Sequence, residues 1–305
     1  MKMRSNLRVF IWAVFWGTIP LVSLLSPEPS AAWGRAGHMV TTQIAYDRLE
    51  PATRAEVDRL VGLLADFEPR LDHAVTASLW MDEVRGAGWR SMDRWHYMSL
   101  PYNADGLGNL PPLHPDNAVE AIRQSIRTLQ NPAAPDLAKA IMLRVLLHVV
   151  TDLHQPLHSA SRITVERPEG DRGGNDFPLL GLDGAPSNLH RLWDGGVGVL
   201  PRLERDEAGL AAVPGLAADI VRRVPEERVP EWRDLDPETW SRESFRLVTS
   251  VVYVGITEGR APSEVYQAKA RLVVQRRLAL SGYRLAAVLE SALADAPTVE
   301  VRTAE

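Results

Sequence analysis

His148 and Asp152 stand four residues apart in the stretch Leu146–His158, and His190 and Asp194 repeat that interval within Gly173–Gly196. On a helix, residues four apart project from one face, so each pair presents an imidazole beside a carboxylate. His158 lies six residues past Asp152, just beyond Pro156, which should end the first helix. Nitrogen and oxygen donors grouped in this way suit Zn²⁺, which binds both at about 2 Å. A single His-x-x-x-Asp pair makes an ordinary hydrogen bond or ion pair just as readily. Two pairs with a histidine between them, set among Leu146, Leu147, Val149, Val150, Leu153 and Leu157, point to metal chemistry. Imidazoles placed in apolar surroundings need partners, because burying an unpaired polar group costs free energy.

Composition narrows the possibilities. The 305-residue chain has no cysteine, which excludes disulfides, thiolate metal sites and cysteine nucleophiles. Residues 1–32 read as a cleaved secretory signal: Lys2, Arg4 and Arg8 form a basic start, Val9–Leu25 is apolar, and Ser30–Ala32 supplies small residues for cleavage. An uncleaved membrane anchor is the alternative, since the apolar run approaches spanning length. Pro20 and the Ser, Pro and Ala residues of Ser26–Ala32 favour cleavage after Ala32 and a secreted or periplasmic protein with no membrane attachment. Cleavage removes three basic residues and one acidic residue, so the mature chain is more acidic than the formal −5 of the whole sequence. Broad electrostatic binding of nucleic acid needs a basic surface. A phosphate-bearing substrate must therefore be drawn by a local positive site.

Apolar residues recur at three- and four-residue intervals over His38–Leu49, Thr53–Leu64, His73–Arg85, Pro115–Gln130, Pro135–His154, Pro237–Ile256 and Pro262–Leu293. No stretch alternates convincingly, and Leu100–Pro115 and Ser159–Pro186 read as loops. The pattern predicts one all-α domain over residues 33–305, with loops gathered around a polar cleft. All candidate ligands precede residue 195, and Gly195–Glu305 is expected to supply packing rather than chemistry.

Three further motifs carry side chains of the same kinds: His38 in WGRAGH, Asp82 and Arg85 in LWMDEVR, and His96 in WHYMSLP. Together with LLHVVTDLHQPLH, GGNDF and NLHRLWDGG, their order and spacing from Trp33 to about Gly196 resemble the S1/P1 nuclease family, zinc-dependent enzymes that cut single-stranded nucleic acids and 3′-nucleotides. The resemblance implies the all-α fold of the phospholipase C/P1 nuclease type and three Zn²⁺ per chain. One would be held by Asp82, His96, His148 and Asp152, and a second by His158, His190 and Asp194. A third would take His38, Asp152 and the α-amine and carbonyl oxygen of Trp33, an amine that exists only after signal cleavage. His73, His114 and His154 match no ligand position. His154 falls on another side of the helix from His148 and is expected at the surface or behind the ligands.

The implied chemistry is hydrolysis of single-stranded DNA, RNA and 3′-nucleotides to 5′-phosphate products by zinc-activated hydroxide, with Asp82, Arg85 and Asp152 as catalytic residues. No stable protein partner is implied. Arg85, one turn beyond Asp82, either holds a phosphoryl oxygen or makes an ordinary helix-surface ion pair. Tyr97 resembles the position on which a base stacks, the alternative being a packed core tyrosine. Two residues on, where family members commonly place Asp or Asn, this chain has Ser99, a shorter partner for a base edge. Asn175 matches a family motif and is expected to order the loop near the metals. Two alternatives stand beside the nuclease: a zinc-dependent phospholipase C and a non-catalytic zinc-binding helical protein. The short Trp33-to-His38 spacing and the His-x-x-x-Asp pair at His190 and Asp194 argue against the phospholipase.

Overall fold

Every residue from Leu143 to Leu153 is buried, so the helix that carries His148 and Asp152 is enclosed on all sides by other elements. The computed structural model describes residues 33–67, 69–203 and 206–294. The signal segment expected over residues 1–32 lies outside the described residues. Among those described, the α-helices are α1 (Arg35–Tyr46), α2 (Pro51–Gly62), α3 (Ala74–Ala77), α4 (Trp80–Gly86), α5 (Ala118–Gln130), α6 (Asp136–Leu153), α7 (Leu189–Asp194), α8 (Glu207–Arg223), α9 (Pro237–Leu247) and α10 (Glu264–Leu293). The protein is all-α.

Helix α6 is the central post. Helix α5 turns back along it after Asn131–Pro135, while α1, α2, α4, α9 and the long α10 cover its other sides. Buried Arg144 fixes α6 against α2 by donating to the Val61 carbonyl at 2.8 Å. Helix α1 lies between α10 and α8, and Gly37 is what lets its first turn close. A β-carbon there would sit 2.5 Å from Cβ of Trp33, whose side chain is fully buried against that turn.

Three local features depart from the sequence pattern, and each bears on the site. The periodicity over His73–Arg85 predicts one helix, but the chain breaks at Ser78–Leu79 between α3 and α4. Leu100–Asn103 (β1) pairs in parallel with Ala160–Ile163 (β2), and Pro178–Leu180 (β3) pairs antiparallel with Pro186–Asn188 (β4), inside stretches read as loops. Strands of three or four residues carry no alternation to detect; β1 and β2 are created by partners sixty residues apart, and β3 and β4 by a short local hairpin. Finally, the helical pattern over Pro237–Ile256 ends as α9 at Leu247 and continues as a π turn over Val248–Val252. Helix α8 runs through Pro214, a residue that interrupts helical hydrogen bonding and masks such a helix in the sequence.

Candidate metal centre

The break at Ser78 leaves its carbonyl free to accept from His148 Nδ1 at 2.7 Å. His158 Nδ1 likewise faces the His96 carbonyl at 2.5 Å, and His190 Nδ1 the Gly173 carbonyl at 2.7 Å. A carbonyl oxygen only accepts, so Nδ1 carries the proton in all three rings and the Nε2 lone pair points the other way. Those inward atoms meet aspartates: His148 Nε2 lies 3.3 Å from Asp152 and 3.9 Å from Asp82, and His190 Nε2 lies 3.4 Å from Asp194. His158 Nε2 lies 3.9 Å from the other Asp194 oxygen.

The backbone that sets this geometry comes from distant segments. The His158 carbonyl accepts from Met98 N–H at 2.8 Å, which ties the strand beyond His96 and Tyr97 to the end of α6. Gly173 adopts φ +62°, and a β-carbon there would lie 2.5 Å from the Leu157 carbonyl oxygen, so only glycine brings its own carbonyl to His190. Gly34 N–H donates to the Asp194 carbonyl at 2.7 Å, which places the first residues of α1 against the end of α7. Trp33 is thus buried beside the cluster, and His38, one turn into α1, reaches Asp152 Oδ1 at 3.2 Å.

Ligand atoms converge in three groups, each within 4.8 Å: His38 with Asp82 and His148, His96 with His148 and Asp152, and His158 with His190 and Asp194. The third group matches the second expected zinc set. The first two share His148 and merge the other two expected sets into one cluster around Asp152. The His38 and His148 rings stack at 3.9 Å, and His96 Nδ1 lies 3.0 Å from both His148 Nε2 and Asp152 Oδ2. Yet His38 Nε2, Asp152 Oδ1 and His158 Nε2 are buried without a hydrogen bond. The 3.2 Å approach of His38 to Asp152 is an ion-pair distance without hydrogen-bond alignment. Orphaned buried donor atoms facing one another, with the His148, His158 and His190 rings each steadied by a backbone carbonyl behind it, fit divalent cations held by nitrogen and oxygen.

A family model described as S1/P1 Nuclease matches residues 33–294. The chain belongs to the S1/P1 nuclease family. It is 26% identical over 286 residues to Endonuclease 4 of Arabidopsis thaliana, which covers 87% of this chain and 90% of that protein. Endonuclease 2 of the same plant is 26% identical over 298 residues, covering 88% of this chain and 93% of the relative. Nuclease S1 of Aspergillus oryzae is 23% identical over 300 residues, covering 89% and 96%. Membership places the chain among the metal-dependent nucleases, hydrolases of phosphodiester bonds.

In this nuclease the cluster opens into a cleft of about 670 Å³, bordered by His96, His158 and His190. Arg85, Tyr97, Ser99 and Asn175 line the same cleft, so the structure brings together the residues expected to touch substrate. Tyr97 is 38% exposed and is not a core tyrosine. Arg85 does form an ion pair, with Asp93 at 3.5 Å, while facing the cleft. Asn175 donates to the Arg172 carbonyl at 2.9 Å and so orders its loop. All three non-glycine residues of positive φ among those described, Ser99, Arg172 and Val197, lie on the cleft or just past Asp194. Such strain gathers at functional sites.

Burial and charge set the protonation of the metal-free cluster. Burial pushes His158 down to about 3, and burial, then the neighbouring His148 charge, pushes His38 down. Burial also opposes charge on His148, but Asp152 and then Asp82 overcome it and draw that ring up to about 9. Asp152 stays ionised well below the usual carboxylate range, because His148 and His158 outweigh its burial.

Residues the sequence did not single out hold this centre from behind. His154, expected at the surface or behind the ligands, is fully buried: Nδ1 donates to the Val150 carbonyl at 2.8 Å and Nε2 accepts from Arg284 at 3.0 Å. Burial, then Arg277 and Arg284, keep it neutral. Arg277 donates to the His154 carbonyl at 3.1 Å and Ser244 to that of Leu153 at 2.7 Å, capping α6 just after Asp152. Tyr253, at the end of the π turn, donates to buried Asp171 at 2.5 Å and steadies the loop that leads to Gly173. The C-terminal part therefore does supply packing, as expected, and with it the polar groups that fix the ligand-bearing elements. Its amphipathic pattern alone did not mark them.

Proposed function

We propose that this nuclease hydrolyses single-stranded DNA and RNA, and 3′-nucleotides, to 5′-phosphate products with three Zn²⁺ per chain. The observation that carries this reading is the set of three imidazoles whose Nδ1 protons are committed to backbone carbonyls and whose Nε2 atoms turn onto aspartates, two of them, His158 and His190, lining a cleft. Asp82, His96, His148 and Asp152 would hold one zinc, and His158, His190 and Asp194 a second. His38, Asp152 and the amine and carbonyl of Trp33 would hold the third. Bound there, zinc supplies Lewis-acid polarisation of a phosphoryl oxygen and acidifies water to a pKa of about 7.

The chain's own residues bind and orient the substrate. Arg85 offers its guanidinium to a non-bridging phosphoryl oxygen, in exchange for its loose contact with Asp93. Tyr97 presents its exposed ring to a base, and Ser99 the hydroxyl nearest in sequence to that base's edge. Asp152, ionised and fully buried, turns its Oδ1, which makes no hydrogen bond, toward His38 and its Oδ2 toward His96 and His148. Among the described residues no helix is long and apolar enough to cross a membrane. Cleavage after Ala32 on export, to the periplasm or the medium, completes the ligand set by freeing the Trp33 amine.

The test sets single-stranded DNA, RNA, 3′-AMP and phosphatidylcholine side by side, before and after dialysis against a chelator. Hydrolysis of the first three, lost on dialysis and restored by Zn²⁺, supports the reading. Hydrolysis of lipid alone, or of nothing while metal is bound, overturns it.

A further inference from the structure

The cleft is larger than the lower limit of about 300 Å³ for small-ligand sites, and its outer walls carry chemistry that a lone mononucleotide would not need. Arg90 and Arg94 stand on one wall, in the turn between α4 and the ligand His96, and Arg172 stands on the wall formed by the Glu169–Asn175 segment. Exposure of the side chain rises from 25% at Arg85 to 60% at Arg90 and 74% at Arg172, so the latter two sit toward the mouth. This gathering of guanidinium groups occurs in a chain whose formal charge is −5.

None of the side chains of Arg90, Arg94 and Arg172 is held by a buried partner. Arg94 is exposed and forms no ion pair among the described residues. Arg90 meets Asp93 at 3.2 Å and Arg172 meets Asp176 at 3.4 Å, solvent-screened pairs of the weak kind that a phosphate can replace. The backbone beneath Arg172 is held firmly nonetheless. Its N–H donates to Ser161 Oγ at 3.1 Å, and the preceding Asp171 is buried, receiving Arg162 N–H and the Tyr253 hydroxyl. Its φ of +55° is a left-handed conformation that a non-glycine residue adopts only when its surroundings hold it there. Leu113, 44% exposed, adds an apolar face for bases along the same cleft.

We infer that Arg90, Arg94 and Arg172 form a track for the phosphates that flank the scissile bond, so that the preferred substrate is a single strand of several nucleotides rather than a 3′-mononucleotide. This rests on the nuclease reading and extends it to substrate length. The phosphates on either side of the reacting one would replace the weak carboxylate contacts of Arg90 and Arg172 and engage unpaired Arg94 through charge-assisted bonds, and each such bond leaves its mark on salt dependence.

The experiment compares the holoenzyme with Arg90→Ala/Arg94→Ala, Arg172→Ala and the double lysine variant Arg90→Lys/Arg94→Lys. The substrates are a twelve-nucleotide oligothymidylate and 3′-AMP, across a NaCl series. The ratio of KM for the oligonucleotide to KM for 3′-AMP should rise about tenfold in the alanine variants. The slope of log kcat/KM against log salt for the oligonucleotide should flatten by about 0.7 for each phosphate that an arginine no longer neutralises. The lysine variant should keep the parent slope, which a purely structural role for the arginines would not require. Both substrates cleaved with an unchanged KM ratio and salt slope would overturn the track alone. Neither substrate cleaved by the parent enzyme would overturn the functional reading beneath it.

Discussion

Gln155 donates its side-chain amide to Asp194 Oδ1 at 2.7 Å, while its own Oε1 accepts the Leu157 N–H at 2.7 Å. One fully buried amide thus joins the turn after α6 to the end of α7, the two places that supply His158 and Asp194. Replacing it by leucine keeps the bulk and removes both bonds. Partners that orient a ligand in this way typically account for 10–100-fold in metal affinity. Gln155→Leu should therefore release one metal about 10–100-fold more readily in competition with a chromophoric chelator, with the rest retained. Unchanged release would show that Asp194 is positioned without this hydrogen bond.

Trp33 lies buried where Gly34 N–H meets the Asp194 carbonyl, beside one of the expected ligands. An amine ligand must also lose a proton from a group of pKa near 8. A protein that keeps two extra residues before Trp33 should bind one metal fewer, about two instead of three. Its phosphodiesterase activity should fall by at least tenfold. Metal analysis of both forms decides this: equal metal content would remove the amine from the ligand set.

The metal-free protein should be most stable near pH 6.5. His158 is driven to about 3 by burial, and His38 and His154 shift the same way. Below 6.5 the unfolded chain takes up protons that these folded rings refuse, so stability falls as pH drops below 6.5, for His158 until pH nears 3. His148, drawn up to about 9, acts in the opposite direction. Its proton stabilises the fold below 6.5 and that contribution disappears as pH rises through 9. Thermal midpoints of chelator-treated protein should fall on both sides of pH 6.5, and Zn²⁺ should flatten the alkaline arm, because coordination displaces the His148 proton. A chelated protein with a flat profile from pH 5 to 9 would contradict these assignments.

The candidate ligand pairs were legible in the sequence because two His-x-x-x-Asp intervals fall in helical stretches, while His38, Asp82 and His96 joined them only through the order of the motifs. His148 and Asp152 share a helix face, as do His190 and Asp194, and Gly37 and Gly173 mark close approaches of backbone. What the pattern hid depends on contacts between distant segments. The split of the His73–Arg85 helix frees the Ser78 carbonyl for a ring seventy residues away, and the β1–β2 pairing aligns two stretches sixty apart. Tyr253, Glu243, Arg277 and Arg284 carry no motif. Their role appears only when α9, the π turn and α10 close over the end of α6.

Ser99 offers the last test, because its backbone and its side chain make separable demands. Its φ of +53° is one that Asn and Asp adopt several-fold more readily than serine, and those are the residues that the family pattern places there. Ser99→Asn should relieve about 0.5–1 kcal/mol of strain and raise the unfolding midpoint. The new amide also offers a base edge both a donor and an acceptor on a longer arm. The relative kcat/KM values for 3′-AMP, 3′-GMP, 3′-CMP and 3′-UMP should spread by about fivefold more than in the parent, the work of roughly one added hydrogen bond. Ser99→Gly accepts the same backbone without any base contact, so it should leave the four rates closer together than Asn does. If Asn and Gly gave the same ratios, the residue would govern backbone shape alone, and base choice would have to come from elsewhere in the cleft.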